Sequence, residues 1–171
     1  MNFNLDGTMD KNAIFEKVAA IIKSENFTIV QQDMTRPWGG FFVIEEDQAS
    51  AFAKLFFPNL EMSEIQITNK LSPKILVVAP NKRLSWQYHF RRSEIWKIIG
   101  GKAGVKTSLT DEEGEIKELS SGAFIQMDKG ERHRLIGLDS WGVVAEIWQH
   151  TDPNNPSDEE DIIRLQDDFG R

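Results

Sequence analysis

Cysteine is absent from this 171-residue chain. Disulfides and thiolate metal sites are therefore excluded, and a bound metal would need His, carboxylate or amide oxygen as its ligands. No apolar run approaches the length that crosses a bilayer, so no membrane association is expected. The opening Met1-Asn2-Phe3-Asn4-Leu5-Asp6-Gly7 lacks the basic-then-apolar order of a secretory signal. The expectation is a cytoplasmic protein. Also missing are a Gly-rich phosphate loop, a G-x-S-x-G elbow, a His-Glu-x-x-His helix, internal repeats and low-complexity blocks. What is present is ordinary for one soluble globular domain: 40% hydrophobic and 27% charged residues over a length that fits a single core.

A general excess of positive charge is lacking too. The net charge of -7 argues against nucleic-acid binding. The charge is uneven, however. Between Lys70 and Lys106 stand nine basic residues and one acid, Glu94, a tract of net +8 inside an acidic chain. Such a tract suits an anionic ligand, and it equally suits a solvated strand face.

Residues 11–24 place Ile14, Phe15, Val18, Ala19 and Ile22 at helical spacing behind Asp10 as N-cap. Asp47 to Phe57 predicts a second short helix closed by Pro58. Between them Arg36-Pro37-Trp38-Gly39-Gly40 leads into the apolar run Phe41 to Ile44. From Ile65 onward short β-branched and aromatic runs alternate with turn signals, the pattern of an all-β sandwich or barrel. The predicted strands are 65–68, 75–78, 84–90, 94–99, 105–110, 116–119, 123–127, 133–136 and 143–149, with a hairpin loop at Asp111-Glu112-Glu113-Gly114. The division expected is a single domain over 1–171. Residues 1–60 form an N-terminal helical extension outside the main body, and 158–171 an acidic tail packed back on the barrel.

Two stretches carry the chemistry. In Leu84-Ser85-Trp86-Gln87-Tyr88-His89, the two-residue period of a strand sends Gln87 and His89 out of one face. A turn of about four residues then folds Glu94 back toward His89. The second stretch, Gly122 to Arg134, reads as strand, glycine turn, and His133 at the start of the return strand. Taken separately, each histidine also reads as a structural or surface residue. Together the spacings of Gln87, His89, Glu94 and Gly101, and of Gly122, Gly130 and His133, reproduce the two motifs of the cupins. Asp128 stands where the second motif usually has proline, and Gly137 where it has asparagine.

The strand Leu84-Ser85-x-Gln87-x-His89 resembles the metal-site strand of phosphomannose isomerases. A closer likeness is to the cupin half of bifunctional mannose-1-phosphate guanylyltransferase/mannose-6-phosphate isomerase proteins. It runs through Arg36-Pro37-Trp38-Gly39, the span from Lys74 to Val105, His133-Arg134, and the tail from Asp161 to Phe169-Gly170-Arg171. The resemblance implies an all-β cupin fold, a double-stranded β-helix or jelly-roll barrel with short helical additions at the N-terminus. It implies Gln87, His89, Glu94 and His133 as ligands of a divalent metal, typically Zn, with Co, Mn, Ni or Fe as alternatives. It also implies Ser85, Lys74, Arg164 and Arg171 as binders of a small phosphorylated sugar, and Arg134 as an active-site arginine.

The reaction implied is aldose–ketose isomerisation through an enediol, with mannose-6-phosphate and fructose-6-phosphate as the pair. A base must carry the proton between C1 and C2. Glu146, a lone carboxylate in a late apolar strand, is preferred over Lys97 for that role. Strand alternation turns Arg134 away from His133, so a surface salt bridge is its competing reading. His150 reads as an exposed residue at a strand end, and the five tryptophans as packing rather than sugar platforms. Two other functions fit the same pattern: a silent sugar-phosphate sensor, and a metal cupin of another reaction class such as an oxygenase. Pairing into a homodimer is common among cupins and stays open.

Overall fold

The structure, a computed structural model, describes Phe3 and residues 5–170. Arg171, expected to bind substrate, lies outside the described residues. Helix α1 spans Lys11–Ser24, with the Asp10 carboxylate accepting from the Ala13 N–H as the periodicity predicts. Strands β1 (Ile29–Asp33) and β2 (Gly39–Ile44) follow, then a 3-10 turn at Glu46–Gln48 and α2 (Ala49–Phe56). Residues 1–60, read as helical, thus also supply two strands. The β1 residues 30–32 are exposed, so β1 carried no alternating signal. The strand expected at 65–68 does not form: Ile65 ends a short helix, α3 (Met62–Ile65), stabilised by a capping box between Glu61 and Glu64, and residues 66–70 are irregular.

The remaining strands are β3 (Lys74–Val78), β4 (Trp86–Tyr88), β5 (Arg92–Gly100), β6 (Lys102–Ser108), β7 (Lys117–Ser120), β8 (Phe124–Met127), β9 (Arg132–Gly137), β10 (Gly142–His150) and β11 (Ile163–Gln166). They form two antiparallel sheets in the orders β1-β2-β3-β10-β5-β8 and β11-β4-β9-β6-β7. Two facing antiparallel sheets are the double-sheet jelly roll that the motif spacing implied. The acidic tail contributes β11, which pairs with β4 through Ile163–Tyr88 and Arg164–Gln87.

Side-chain parity sorts the larger sheet into two working faces. On β5, Trp96 and Ile98 join the inner core with Leu76, Val78, Val144, Val105 and Leu135. Ile95 and Ile99 join an outer core with Ile75, Val77, Val143 and Ala145, which the apolar stripes of α1 and α2 cover. A sheet buried on both sides reads as nearly continuous apolar runs, as β3 and β10 do. The helices therefore share a core with the sheet. Phe52 is fully buried against Phe27 and Phe56, with ring centroids 5.6 and 4.6 Å away. Phe52→Ala is expected to cost about 3–5 kcal/mol. Urea unfolding should show one transition moved to lower denaturant; a separate early transition would mean that the helices melt on their own.

Two motif glycines have a backbone reason. Gly101 turns β5 into β6 at φ +67, with a Cβ there falling 2.3 Å from the Trp141 carbonyl oxygen. Gly130 sits at φ +83 between β8 and β9, and its N–H donates to the His89 carbonyl at 2.9 Å. That bond ties the second motif to the first.

Candidate metal centre

The turn after β4 is a crossing between sheets rather than a hairpin, because β4 and β5 belong to different sheets. Residues 89–91 make that corner. Asp161, from the tail, holds it: its carboxylate accepts from the Phe90 and Arg91 N–H groups at 3.0 Å each and from the Ser157 hydroxyl at 2.6 Å. Burial pushes the Asp161 carboxyl up, and these donors together with Arg92 bring it below the ordinary value. The corner aims His89 and Glu94 at one point inside the sandwich. His133 arrives from β9, where it pairs with Gln87.

His89, Glu94 and His133 are each 2% exposed, and their ligand atoms lie within 4.8 Å of one another. His89 Nδ1 meets the Asp161 carbonyl at 2.6 Å and His133 Nδ1 meets the Glu131 carbonyl at 2.9 Å. A carbonyl only accepts, so each Nδ1 carries the proton and each Nε2 presents a lone pair. Those lone pairs face the Glu94 carboxylate at 3.2 and 3.3 Å. Burial lowers the pKa of His89, which keeps it neutral. Burial pushes Glu94 up, but positive charge beside it, from His89 when protonated, from the Arg92 guanidinium and from His133 when protonated, outweighs this and holds it well below the usual carboxylate range. Arg92 satisfies one side, donating to Glu94 Oε1 at 2.7 Å and contacting His89 Nε2 at 3.2 Å. Glu94 Oε2 and His133 Nε2 face each other with no hydrogen bond. Two buried acceptors in that state need a cation between them, which a proton on His133 or a bound metal ion supplies. The donor set of two imidazoles, a carboxylate and an amide fits a divalent first-row metal.

Glu94 and Gln87 open onto a cavity that they line together with Ser85, Arg92, Trp96 and Glu146. Its walls are Trp38, Phe41, Trp148 and Leu84, and its mouth carries Arg36, Lys74, Glu159 and Arg164. Ser85 donates to Gln87 Oε1 at 2.6 Å. Glu146 is 4% exposed and accepts from the Trp96 indole N–H at 2.9 Å. Burial, then the charge of Glu94, pushes its carboxyl up to about 7 against the pull of Lys74, Arg92 and Trp96.

Residues 46–167 match the family model described as "Mannose-6-phosphate isomerase C-terminal". The chain belongs to this family. Among curated relatives of this family member, mannose-1-phosphate guanylyltransferase of Salmonella montevideo is 24% identical over 168 residues, 98% of this chain and 29% of that protein. The enzyme of the same name from Escherichia coli K12 is 25% identical over 166 residues, 95% and 29% of the two chains. This family member thus spans less than a third of the curated relatives it matches. Among solved structures, Staphylococcus aureus CapF has a TM-score of 0.53 at 16% identity, over 80% of this chain and 34% of that one. A mutant of Bacillus subtilis oxalate decarboxylase OxdC has a TM-score of 0.55 at 13% identity, over 79% and 30%. These likenesses establish the cupin fold.

In this family member the cavity brings together most of the residues named from sequence. Gln87, Glu94, Ser85, Lys74, Glu146 and Arg164 line it, and His89 and His133 contact Glu94 from behind that lining. Arg134 is not brought there. It lies on the opposite face of β9 from His133, fully buried, where Glu113 and the Gln166 carbonyl hold it. Nor is it a surface pair, because the tail and the 113 loop cover it. Lys97 does not line the cavity either. His150 is fully buried, contrary to the expectation of exposure. Its Nδ1 accepts from the Ser157 N–H at 3.0 Å, and Nε2 pairs with the Ser72 hydroxyl at 2.9 Å. The basic tract divides: Lys74 and Arg92 reach the cavity, while Arg83 and Arg91 bind Asp168 and Asp158 of the acidic tail. Arg92 and Asp161 went unnoticed in the sequence. The parity of Arg92, Glu94 and Trp96 on one strand was a usable signal for the former; nothing local marked the latter.

Proposed function

We propose that the chain is a metal-dependent aldose–ketose isomerase of phosphorylated sugars, with mannose-6-phosphate and fructose-6-phosphate as the pair. One observation carries this reading: a single cavity holds an acceptor cluster suited to a cation, a basic mouth, and a buried carboxyl whose pKa stands near 7. Family membership supports the sugar-phosphate class. The phosphate is received at the mouth by Lys74, the Ser85 hydroxyl and Arg164, which fixes the sugar with C1 and C2 toward the floor. Gln87, His89, Glu94 and His133 would hold a divalent cation, which would supply Lewis-acid stabilisation of the developing enediolate. Glu146 takes the proton from C2 of the aldose and returns it to C1, while O2 loses and O1 gains a proton. The Trp96 N–H fixes one carboxylate oxygen of Glu146 and leaves the other for the transfer. In the metal-free fold burial and Glu94 bring this carboxyl to about 7, a range that suits a group that must both accept and donate. Trp38 and Trp148 wall the site against water.

A coupled assay over hexose, pentose and heptose phosphates tests this. Mannose-6-phosphate turnover should disappear on chelation and return with Zn, Co or Mn. Binding of the sugar phosphate with no turnover under any metal would replace the isomerase with a sensor.

A further inference from the structure

Lys74 is a buried cation, 5% exposed, carried on β3 opposite Glu146 of β10. Its ammonium rests on the Trp148 ring, 3.5 Å from the centroid, and is 5.5 Å from that of Phe41. Its carboxylate partner is Glu159, from the tail. The two ends of this ion pair differ sharply. The Lys74 side chain is 7% exposed and fixed by its strand, whereas the Glu159 side chain is 63% exposed. The backbone around Glu159 is anchored: the Asp158 carbonyl accepts from Arg92, Asp158 pairs with Arg91, and Asp161 clamps the 89–91 corner. The side chain can therefore swing into solvent while the tail stays in place.

We infer that Glu159 is a tethered counter-ion occupying the anion position on Lys74, and that it makes the cavity select dianionic phosphate monoesters over monoanionic ligands. This rests on the anion-binding mouth of the function proposed above, though on neither the metal nor turnover. A tethered carboxylate competes at an effective concentration on the order of millimolar. A free carboxylate brings Lys74 the same charge and group that Glu159 already supplies, so it gains little by displacing it. A phosphate monoester brings a charge of about −1.5 to −2 and three strong acceptors, enough to engage Lys74, Ser85 and Arg164 together. Displaced Glu159 loses little, since it is already mostly hydrated.

The test uses the full chain without metal, titrated with inorganic phosphate and with acetate at constant ionic strength and followed by tryptophan fluorescence, because Trp148 touches Lys74. The wild type should bind phosphate and not acetate. Glu159→Gln, at an exposed side chain, should tighten phosphate about fivefold and gain measurable acetate binding. Glu160→Gln removes the same charge one residue along, outside the cavity, and should leave both unchanged. The inference is overturned if phosphate binds Glu159→Gln no more tightly than wild type, if Glu160→Gln matches its gain, or if neither wild type nor Glu159→Gln binds phosphate. A chain that passes this test yet never isomerises a sugar would retain the selectivity role and lose the isomerase.

Discussion

Adding Zn to the metal-free protein at a thousandfold excess over Kd is expected to raise its melting temperature by about 8–16 °C, and Glu94→Gln to cut the rise to about 6 °C or less. A ligand at a thousand times its Kd stabilises by about 4 kcal/mol, and a domain of this length gains about 2–4 °C per kcal/mol. The affinity is expected because the site is already assembled. Backbone carbonyls fix both imidazole tautomers, and the corner at 89–91 fixes the carboxylate, so little ordering is left for binding to accomplish. Glu94→Gln keeps an oxygen to accept from Arg92 and adds an N–H₂ that can donate to His133 Nε2, the atom left without a partner. The variant should therefore fold as well as the wild type without metal and bind Zn at least a hundredfold more weakly (on the order of the loss seen on removing ligand-shell groups). Calorimetric melts with and without Zn decide it. An equal rise in both proteins would place the metal elsewhere, and no rise in the wild type would remove the metal centre.

The legible parts of the fold were those in which local pattern and tertiary environment agree. β3 and β10 are buried on both faces and announce themselves as nearly continuous apolar runs, and the Asp10 cap marks the start of α1. β1 was illegible because its middle residues are exposed, and α3 because Glu61 and Glu64 make a capping box without the usual Ser or Thr. In the site, Gln87, His89, Glu94 and His133 were readable since strand parity and motif spacing constrain them. Arg134 and His150 were misplaced for one shared reason. Alternation says which way a side chain leaves its strand, but not whether another segment covers it there. Gln166 of the tail covers Arg134, and Ser157, just before the tail, covers His150.

That same tail closes the argument between charge and function. The basic tract from Lys70 to Lys106 looked like a ligand surface, yet Arg83 and Arg91 are counter-charges to Asp168 and Asp158. Only where two of its cations enter the sandwich, Lys74 and Arg92, does the tract reach the cavity. Both lie over Trp148, at 3.5 and 3.6 Å from the ring centroid. Cations so placed are held by the ring quadrupole as well as by carboxylates, which keeps them in place when a carboxylate partner leaves.

Without metal, the wild type is expected to lose stability relative to Glu146→Gln as pH rises from about 4.5 through 7, by on the order of 3 kcal/mol in total. In the unfolded chain Glu146 ionises near 4.5, but in the folded chain burial and Glu94 hold the carboxyl protonated up to about 7. The folded state therefore binds more protons than the unfolded state across that window. Stability from this group is fully present below the unfolded value and is lost as pH rises through the folded one. His150 acts in the opposite sense. Burial lowers its pKa from 6.5 to about 4, so its contribution is lost as pH falls through that interval. The two nearly offset each other between pH 4.5 and 6.5, and a wild-type profile alone would look flat there. The difference between wild type and Glu146→Gln cancels the His150 contribution and isolates the carboxyl, while the amide still accepts from the Trp96 indole. Urea unfolding of both proteins at pH 5 and pH 8 measures that difference. A gap that stays constant, or that favours the wild type at the higher pH, would show that burial and Glu94 do not hold the Glu146 carboxyl protonated in the metal-free fold.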